Sequence, residues 1–177
     1  MRERSDEELM KAYAGGSHEA FELLYHRHRG PLYRYILRQA GDAATANDLY
    51  QGCWEKIIKA RASYKAAAPF PAWMYRIAHN HVMDHFRRQR PVSDWPTEDI
   101  MASDPGPEET LLDSSRIDGL QQAVRQLPLE QKDVLLLKLE AGLDLHAIAE
   151  VTGVNRETAK SRLRYAVGKL KTVLKDQ

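Results

Sequence analysis

The sequence predicts an all-α protein of two small helical domains joined by a flexible acidic linker, and three observations lead to this prediction. Apolar residues recur at helical spacing through most of the 177 residues, and no strand pattern of convincing length interrupts them. Proline and glycine cluster in one long central stretch, PVSDWPTEDIMASDPGPEET. Charge is segregated along the chain, although the formal net charge is only +1.

Four helices are predicted before the central stretch. Ser5 can cap the first, over DEELMKAYA, and Ser17 can cap the second after a pair of glycines. The Gly30-Pro31 pair predicts a kink or short break in that second helix. A third helix has one apolar stripe that includes Cys53, and a loop over residues 62–71 leads to a fourth helix that ends before Pro91.

These boundaries divide the chain into a domain over residues 1–90, a linker over 91–110 and a second domain over 111–177. The linker is rich in proline and acidic residues and has no sustained apolar period, which is typical of a flexible connection. We therefore expect the two domains to be hinged and to take different relative positions in different complexes.

Several classes of protein are excluded by composition. No apolar run is long enough to span a membrane, and the charged N-terminus MRERSDEELM does not resemble a signal peptide, so a cytoplasmic location is expected. The single cysteine, Cys53, rules out an internal disulfide framework. No glycine-rich phosphate loop, nucleophile elbow or converging carboxylate pair is present, so neither enzymatic activity nor a cofactor is expected.

The triplet His79-Asn80-His81 resembles a metal-nuclease signature only in its letters. Consecutive residues of a helix point about 100° apart, so these three side chains cannot share a metal ion. We expect no metal site, and the histidines are interpreted as helix-surface or partly buried packing residues.

Two basic segments flank the acidic linker. Residues 70–90 contain four arginines and one aspartate, residues 91–115 contain seven acids and no lysine or arginine, and residues 153–177 contain seven bases and two acids. Basic patches are the usual electrostatic signature of phosphate binding, which makes a phosphate-bearing polymer the expected partner, and the acidic linker would avoid it.

The second basic segment carries the pattern of a helix-turn-helix, IAEVTGVNRETAKSRL. Ala149 is small enough for two helices to cross closely, and Gly153 permits a tight turn between them. Asn155 can cap the following helix, whose buried stripe is predicted to include Ala159 and Leu163. An amphipathic hairpin with a solvated basic face would give a similar pattern, but the concentration of bases after the turn favours DNA binding.

The first basic segment has a mixed ridge. Arg76, Asn80, Asp84 and Arg87 follow one another at spacings of four, four and three on the predicted fourth helix. A ridge that mixes cations, an amide and an acid differs from the uniform charged face of an ordinary core helix, and it predicts a surface that recognises a partner. Trp73 and Phe86 of the same helix are expected in the core.

Both halves resemble one family. The segments DLYQGCWEKI, FPAWMYRIAHNHVMDHFRRQR, the Leu127-Pro128 pair and TAKSRLRYA are similar, in order and separation, to the extracytoplasmic-function (ECF, group 4) sigma factors of bacterial RNA polymerase. The resemblance implies that the first domain is sigma region two and the second is sigma region four.

The resemblance also implies roles for individual residues. Residues that would dock on the clamp helices of the largest polymerase subunit are Asp48, Gln51 and Trp54. Residues that would bind the minus-ten element are Ser63, Tyr64, Lys65, Arg76, Asn80, Arg87 and Arg88. Aromatic faces and cations hold single-stranded nucleic acid and an amide can pair with a base edge, so Tyr64, in the loop before the fourth helix, is the candidate for stacking on a base. Residues that would bind the minus-thirty-five element are Asn155, Arg156, Glu157, Thr158, Lys160, Ser161, Arg162 and Arg164.

The chain departs from the family pattern at two positions. Gly52 stands where the docking signature usually has an acid, and Ala147 stands where a Glu usually precedes the Ile148-Ala149 pair. The first departure bears on core docking, and the second on a contact near the minus-thirty-five DNA.

The expected function is therefore that of an ECF sigma factor, which directs core polymerase to promoters and initiates transcription. Its expected partners are the polymerase clamp helices and flap, promoter DNA and an anti-sigma factor, without membrane insertion and as a monomer or a heterodimer with the anti-sigma factor. Two alternatives remain open from the sequence. One is a stand-alone operator-binding regulator, and the other is a sigma mimic that sequesters an anti-sigma factor.

Overall fold

The computed structural model describes residues 3–65, 67–89 and 112–175, and all regular structure within them is helical. The elements are α1 Asp6–Ala14, α2 His18–Ala40, α3 Ala43–Lys59, a short 3-10 helix Arg61–Ser63, α4 Phe70–Gln89, α5 Leu112–Gln126, α6 Leu129–Leu139, α7 Leu145–Thr152 and α8 Arg156–Lys175. The predicted all-α fold is confirmed. The prediction of a flexible linker over 91–110 falls outside the described residues.

The predicted helix caps are present. Ser5 and Glu8 form a capping box, in which the Glu8 amide donates to Ser5 Oγ at 3.1 Å and the Ser5 amide donates to Glu8 Oε2 at 2.9 Å. The amide of Ala20 donates to Ser17 Oγ at 3.2 Å at the start of α2. These bonds satisfy amides that have no partner within the helix, which is why both helices begin where the sequence predicts.

A kink or short break was expected at Gly30-Pro31, and no break is found, because α2 continues as one helix from His18 to Ala40 with Pro31 inside it. Leu24 and Leu32 are buried on either side of the pair, so packing holds both parts of the helix in line. The Tyr50 hydroxyl, from α3, donates to the Arg29 carbonyl at 3.1 Å beside the proline. Tertiary contacts here outweigh the local cost of a proline in a helix.

Large aromatic side chains build the core of the first half. Tyr35 of α2 and Tyr75 of α4 are fully buried and meet edge-to-face at 5.6 Å between ring centroids. Phe21 contacts Trp54 in the same geometry at 5.9 Å, joining α2 to α3. Aromatic pairs of this kind add stabilisation beyond the area they bury, so α4 is held on a rigid support.

The second half uses smaller side chains. Val134, Leu136 and Leu137 of α6 are buried, and Leu127, Leu135 and Ala166 form a separate small cluster that joins α6 to α8. Gly153 has φ +74° between α7 and α8, a conformation that glycine adopts without strain. The helix-turn-helix predicted from the sequence is thus formed by α7, Gly153 and α8.

The two halves pack against each other in this structure. Buried residues of α7, including Ile148 and Val151, belong to the same hydrophobic cluster as Phe70 and Tyr75 of α4. Polar contacts also cross between the halves, with Arg34 and Arg38 of α2 both paired to Glu140 at 2.9 Å. The helix-turn-helix therefore lies directly on the first half in the described arrangement.

Candidate polymerase and DNA interfaces

The predicted docking residues on α3 divide into two kinds. Asp48 and Gln51 are exposed, and Glu55 lies exposed one turn further along the same face. Trp54 is only 7% exposed and packs against Tyr25 at 5.0 Å between ring centroids. The indole therefore supports the exposed face from beneath, and the polar groups available to a partner are those of Asp48, Gln51 and Glu55.

Gly52 has a structural reason in this chain. A Cβ at this position would lie 2.6 Å from His81 Nε2 of α4, far inside van der Waals contact. The missing side chain lets α4 bring an imidazole against α3, where burial and then the nearby Lys56 lower the pKa of His81. A side chain at position 52 would require the His81 ring to move, so the departure from the family pattern coincides with a specific helix–helix contact.

The loop before α4 is organised by Tyr64. Its ring packs on Phe70 at 6.0 Å and on Trp73 at 5.2 Å between centroids, and its hydroxyl donates to the Ala68 carbonyl at 2.5 Å. Burial, with the acids Glu7 and Asp6 nearby, raises the pKa of Tyr64 to about 12. Tyr64 braces the loop in this structure, whereas Ser63 and Lys65 are exposed beside it.

Helix α1 fixes the base of that loop, a role that sequence reasoning missed. Glu7 Oε2 accepts from the Phe70 amide at 2.7 Å and so caps the start of α4 from another helix. Asp6 holds α1 on α2 through Arg27 at 3.0 Å and His28 at 2.9 Å. Burial opposes ionisation of Asp6, but these two partners outweigh it and lower the pKa of the carboxyl.

The mixed ridge predicted on α4 is present at the surface. Arg76, Asn80, Arg87 and Arg88 are exposed, and Arg87 pairs with Asp84 at 3.3 Å. Arg76 Nη1 also lies 3.4 Å from the Glu150 carbonyl at the end of α7, a long hydrogen bond between the two halves. The amide and cations can thus face a nucleic-acid strand, although Arg76 already has a partner.

The three residues of the histidine triplet diverge as expected. His79 Nδ1 lies 2.8 Å from Asp133 Oδ2 of α6, His81 faces Gly52 of α3, and Asn80 is exposed. Within the described residues, no group of three or more His, Cys, Asp or Glu side chains could hold a metal ion. Cys53 is buried, as expected, and burial raises the pKa of its thiol to about 12.

The face of α8 is mostly open. Arg156, Glu157, Lys160 and Arg164 are exposed, and the Arg164 guanidinium lies 5.9 Å from the Tyr165 ring centroid. Thr158 and Ser161 are half-buried between them.

Two residues of the minus-thirty-five set have structural contacts of their own. Asn155 Oδ1 accepts from the Thr158 amide at 2.8 Å and caps α8, as the helix-turn-helix pattern predicts. Arg162 is directed toward α6, where its guanidinium lies 3.5 Å from Glu130, and its side chain is only 25% exposed. The open cationic face of α8 is therefore that of Arg156, Lys160 and Arg164.

Comparison with known proteins assigns each half of the chain to a protein family. Residues 24–92 match the Sigma-70 region 2 family, and residues 117–170 match the Sigma-70 region 4 family. The chain is 32% identical to ECF RNA polymerase sigma factor SigL of Mycobacterium tuberculosis over 161 residues, covering 86% of this chain and 88% of SigL. The chain belongs to the ECF RNA polymerase sigma factors.

Other relatives agree with this assignment. This sigma factor is 29% identical to SigM of Mycobacterium tuberculosis, over 97% of its own length and 86% of SigM. It is 30% identical to BldN of Streptomyces coelicolor, over 96% of its own length and 66% of BldN. The region-two match precedes the region-four match along the chain, which is the order expected from the sequence.

Solved structures share the fold. CnrH, in complex with the cytosolic domain of CnrY, aligns with a TM-score of 0.73 at 22% identity over 98% of this chain and 99% of CnrH. RpoE, in complex with the anti-sigma factor NepR from Bartonella quintana, aligns with a TM-score of 0.69 at 22% identity, over 88% of this chain and 96% of the RpoE chain. In the described residues of this sigma factor, no helix is long and apolar enough to cross a membrane.

Proposed function

We propose that this sigma factor docks on core RNA polymerase through the α3 face and recognises a promoter at two separate elements. The docking surface consists of Asp48 and Gln51, supported by the buried Trp54. The α4 ridge with the loop before it binds the minus-ten element, and the open face of α8 binds the minus-thirty-five element. Domain boundaries at residues 90 and 111 separate these two tasks.

One observation carries this proposal: the same chain has two exposed faces of different chemistry. The α4 face combines an exposed amide, Asn80, with cations and lies beside an aromatic-braced loop, which suits an unpaired strand. The α8 face follows the turn of a helix-turn-helix and is dominated by Arg156, Lys160 and Arg164, which suits the major groove of a duplex. A promoter that is melted at one element and double-stranded at the other needs both.

The protein acts as a non-enzymatic initiation factor in the cytoplasm, without cofactor or metal. An anti-sigma factor is its proposed regulator, since a fold relative, RpoE, is bound to the anti-sigma factor NepR. It would be a monomer when free and a heterodimer when held inactive. The family match favours this function over an operator-binding regulator or a sigma mimic.

The docking role is tested by titrating labelled protein with bacterial core RNA polymerase. Asp48→Ala/Gln51→Ala is expected to weaken core binding by about tenfold, the size of a modest interface hot spot, with helical content unchanged. Asp118→Ala/Gln121→Ala is a matched control, because it removes the same two exposed residue types at the same spacing from α5. Equal affinity for the two double variants would refute the docking face, and no binding by the unmodified protein would refute the function.

A further inference from the structure

Asp133 of α6 is buried at the contact between the two halves, with 2% of its surface exposed. The Tyr35 hydroxyl and Gln39 Nε2 both donate to its Oδ1, the latter at 2.7 Å. His79 Nδ1 lies 2.8 Å from Oδ2, at ion-pair distance although the ring nitrogen is not aligned for a hydrogen bond. All three partners belong to the first half, and we call these four residues the Asp133 cluster.

Burying such a cluster costs free energy, and so does leaving one of its members without a partner. A carboxylate taken out of water needs every available donor, and removal of the acceptor would leave the donors buried without a partner. Each member is polar, however, so water can replace every one of these contacts if the halves separate. The cluster therefore favours one specific arrangement of the halves without making the contact permanent.

Charged side chains at the edge of the contact between the two halves also stabilise this arrangement. Glu140, at the end of α6, pairs with Arg34 and Arg38 of α2, both at 2.9 Å. Burial raises the pKa of Glu140, but the two guanidinium groups outweigh burial and the net effect lowers it. The carboxylate is thus ionised in the folded protein, and both halves contribute charge to the contact.

The observed arrangement cannot recognise both promoter elements at once. By their names the elements lie about 25 base pairs apart, which is roughly 85 Å along a duplex at 3.4 Å per pair. In the structure, Arg76 of α4 touches the Glu150 carbonyl, and Glu150 lies on α7, directly before the turn into α8. Since α4 and α8 have 20 residues each and are therefore each about 30 Å long, their two faces cannot reach sites about 85 Å apart in this arrangement.

We infer that the Asp133 cluster holds free sigma factor in a closed state, which must open for both promoter elements to be bound. This inference rests on the proposed function, which assigns the α4 face to the minus-ten element and the α8 face to the minus-thirty-five element. In the closed state α6 and α7 cover one side of α2 and α4, and Arg76 is engaged with the other half. Opening exposes Asp133, Tyr35, Gln39 and His79 to water together.

The closed state is tested by the distance between spin labels on the free, full-length protein. Glu22→Cys on α2 and Lys171→Cys on α8 place one label on each half at exposed positions. The native Cys53 is buried, so the protein without these two substitutions serves as the labelling blank. The otherwise unmodified protein is expected to give one narrow distance distribution, and a broad distribution would overturn the inference.

The next measurement repeats the label distances on a variant that lacks the acceptor of the cluster. Asp133→Ala is expected to broaden the distribution and raise the open fraction at least tenfold, with helical content retained. A narrow distribution unchanged from the parent would overturn the role of Asp133.

Because Asp133→Ala could disturb the folding of α6, a second set of variants acts at the surface. Glu140→Lys should raise the open fraction about fivefold, and adding Arg34→Glu/Arg38→Glu should reverse that change by restoring opposite charges. Glu130→Lys is the matched control, since this α6 acid pairs with Arg162 within its own half. An equal effect of Glu130→Lys, or no reversal by the charge exchange, would count against a contact that holds the halves together.

A final arm adds bacterial core RNA polymerase to the labelled protein. The narrow distance is expected to be replaced by a longer one in the holoenzyme. Persistence of the short distance in a transcribing holoenzyme would overturn the requirement for opening. If no holoenzyme forms, the proposed function fails, and the closed state is still decided by the free-protein distances.

Discussion

The helices α4 and α8 are both 20 residues long and both present DNA-binding candidates, yet they are supported in different ways. Helix α4 buries five residues, including Phe70 and Tyr75, among aromatic rings from its neighbours. Helix α8 buries only two alanines, Ala159 and Ala166, and leaves most of its surface open. This difference suits the proposed roles, because a helix that helps to separate DNA strands needs rigid support, whereas a helix that enters an existing groove needs an unobstructed face.

The largest expected effect is on the free energy of unfolding, and it differs between a variant of α4 and a variant of α8. Phe70→Ala at the start of α4 should reduce the free energy of unfolding by about 3–5 kcal/mol, because it empties a buried aromatic site against Trp73 and Tyr64. Tyr165→Ala on α8, where the ring is 61% exposed, should change it by less than about 0.5 kcal/mol. Urea unfolding of both variants checks this, and similar losses would show that α8 is supported as tightly as α4.

The second prediction separates the chemistry of the two faces. Asn80→Ala should relax discrimination at one minus-ten base by about 1–3 kcal/mol and leave the salt dependence of binding nearly unchanged. Arg164→Ala should weaken binding to all promoters alike and reduce the salt slope by about one unit, because a phosphate contact releases a counterion. Holoenzyme binding to single-base promoter variants at several salt concentrations measures both. Uniform weakening by Asn80→Ala, or a single-base effect of Arg164→Ala, would reverse the two assignments.

A smaller effect concerns the support of α4 by α3. Gly52→Ala should destabilise the protein by about 1 kcal/mol, because the new methyl group would meet His81 Nε2 and must displace the ring. In a His81→Ala background the same change should stabilise α3 by up to about 1 kcal/mol, since alanine is the better helix former. A double-mutant cycle of unfolding free energies measures the coupling. Additive effects would mean that the close approach costs nothing.

The smallest effect is a pH dependence from the same contact. The pKa of His81 is lowered below 6.5 in the folded protein, first by burial and then by Lys56. Its contribution to stability is therefore complete above pH 6.5 and is lost as the pH falls through the lower folded value. Unfolding free energies at pH 7.5 and pH 5 should differ more for the parent than for His81→Gln, by under about 1 kcal/mol because the ring is only partly buried. Identical pH profiles would exclude His81 as the source.

Local signals in the sequence predicted most of the fold. Ser5, Ser17 and Asn155 cap the helices they were expected to cap, and Gly153 forms the expected turn. These features depend on residues within one helical turn, so the sequence contains the whole explanation. At Gly30-Pro31 the local signal for a break was overridden, because buried neighbours on other helices keep α2 continuous.

The contacts that sequence reasoning missed are those made between distant segments. Asp133 stands among the apolar residues of DVLLLKL, which is a signal that a buried charge has a partner, but its donors lie 94 or more positions away in sequence. Glu7 lies in the first turn of α1, where acids are common, yet it caps α4. A single sequence indicates that such groups need partners and cannot say which helix supplies them.

The central claim is that this sigma factor gives core polymerase its choice of promoter through two faces. The most direct measurement maps transcription start sites on a library of genomic fragments, using bacterial core RNA polymerase with and without the protein. We predict new start sites that appear only with the protein and share two sequence blocks, one near position minus ten and one near minus thirty-five. Start sites identical to those of core polymerase alone would contradict the account.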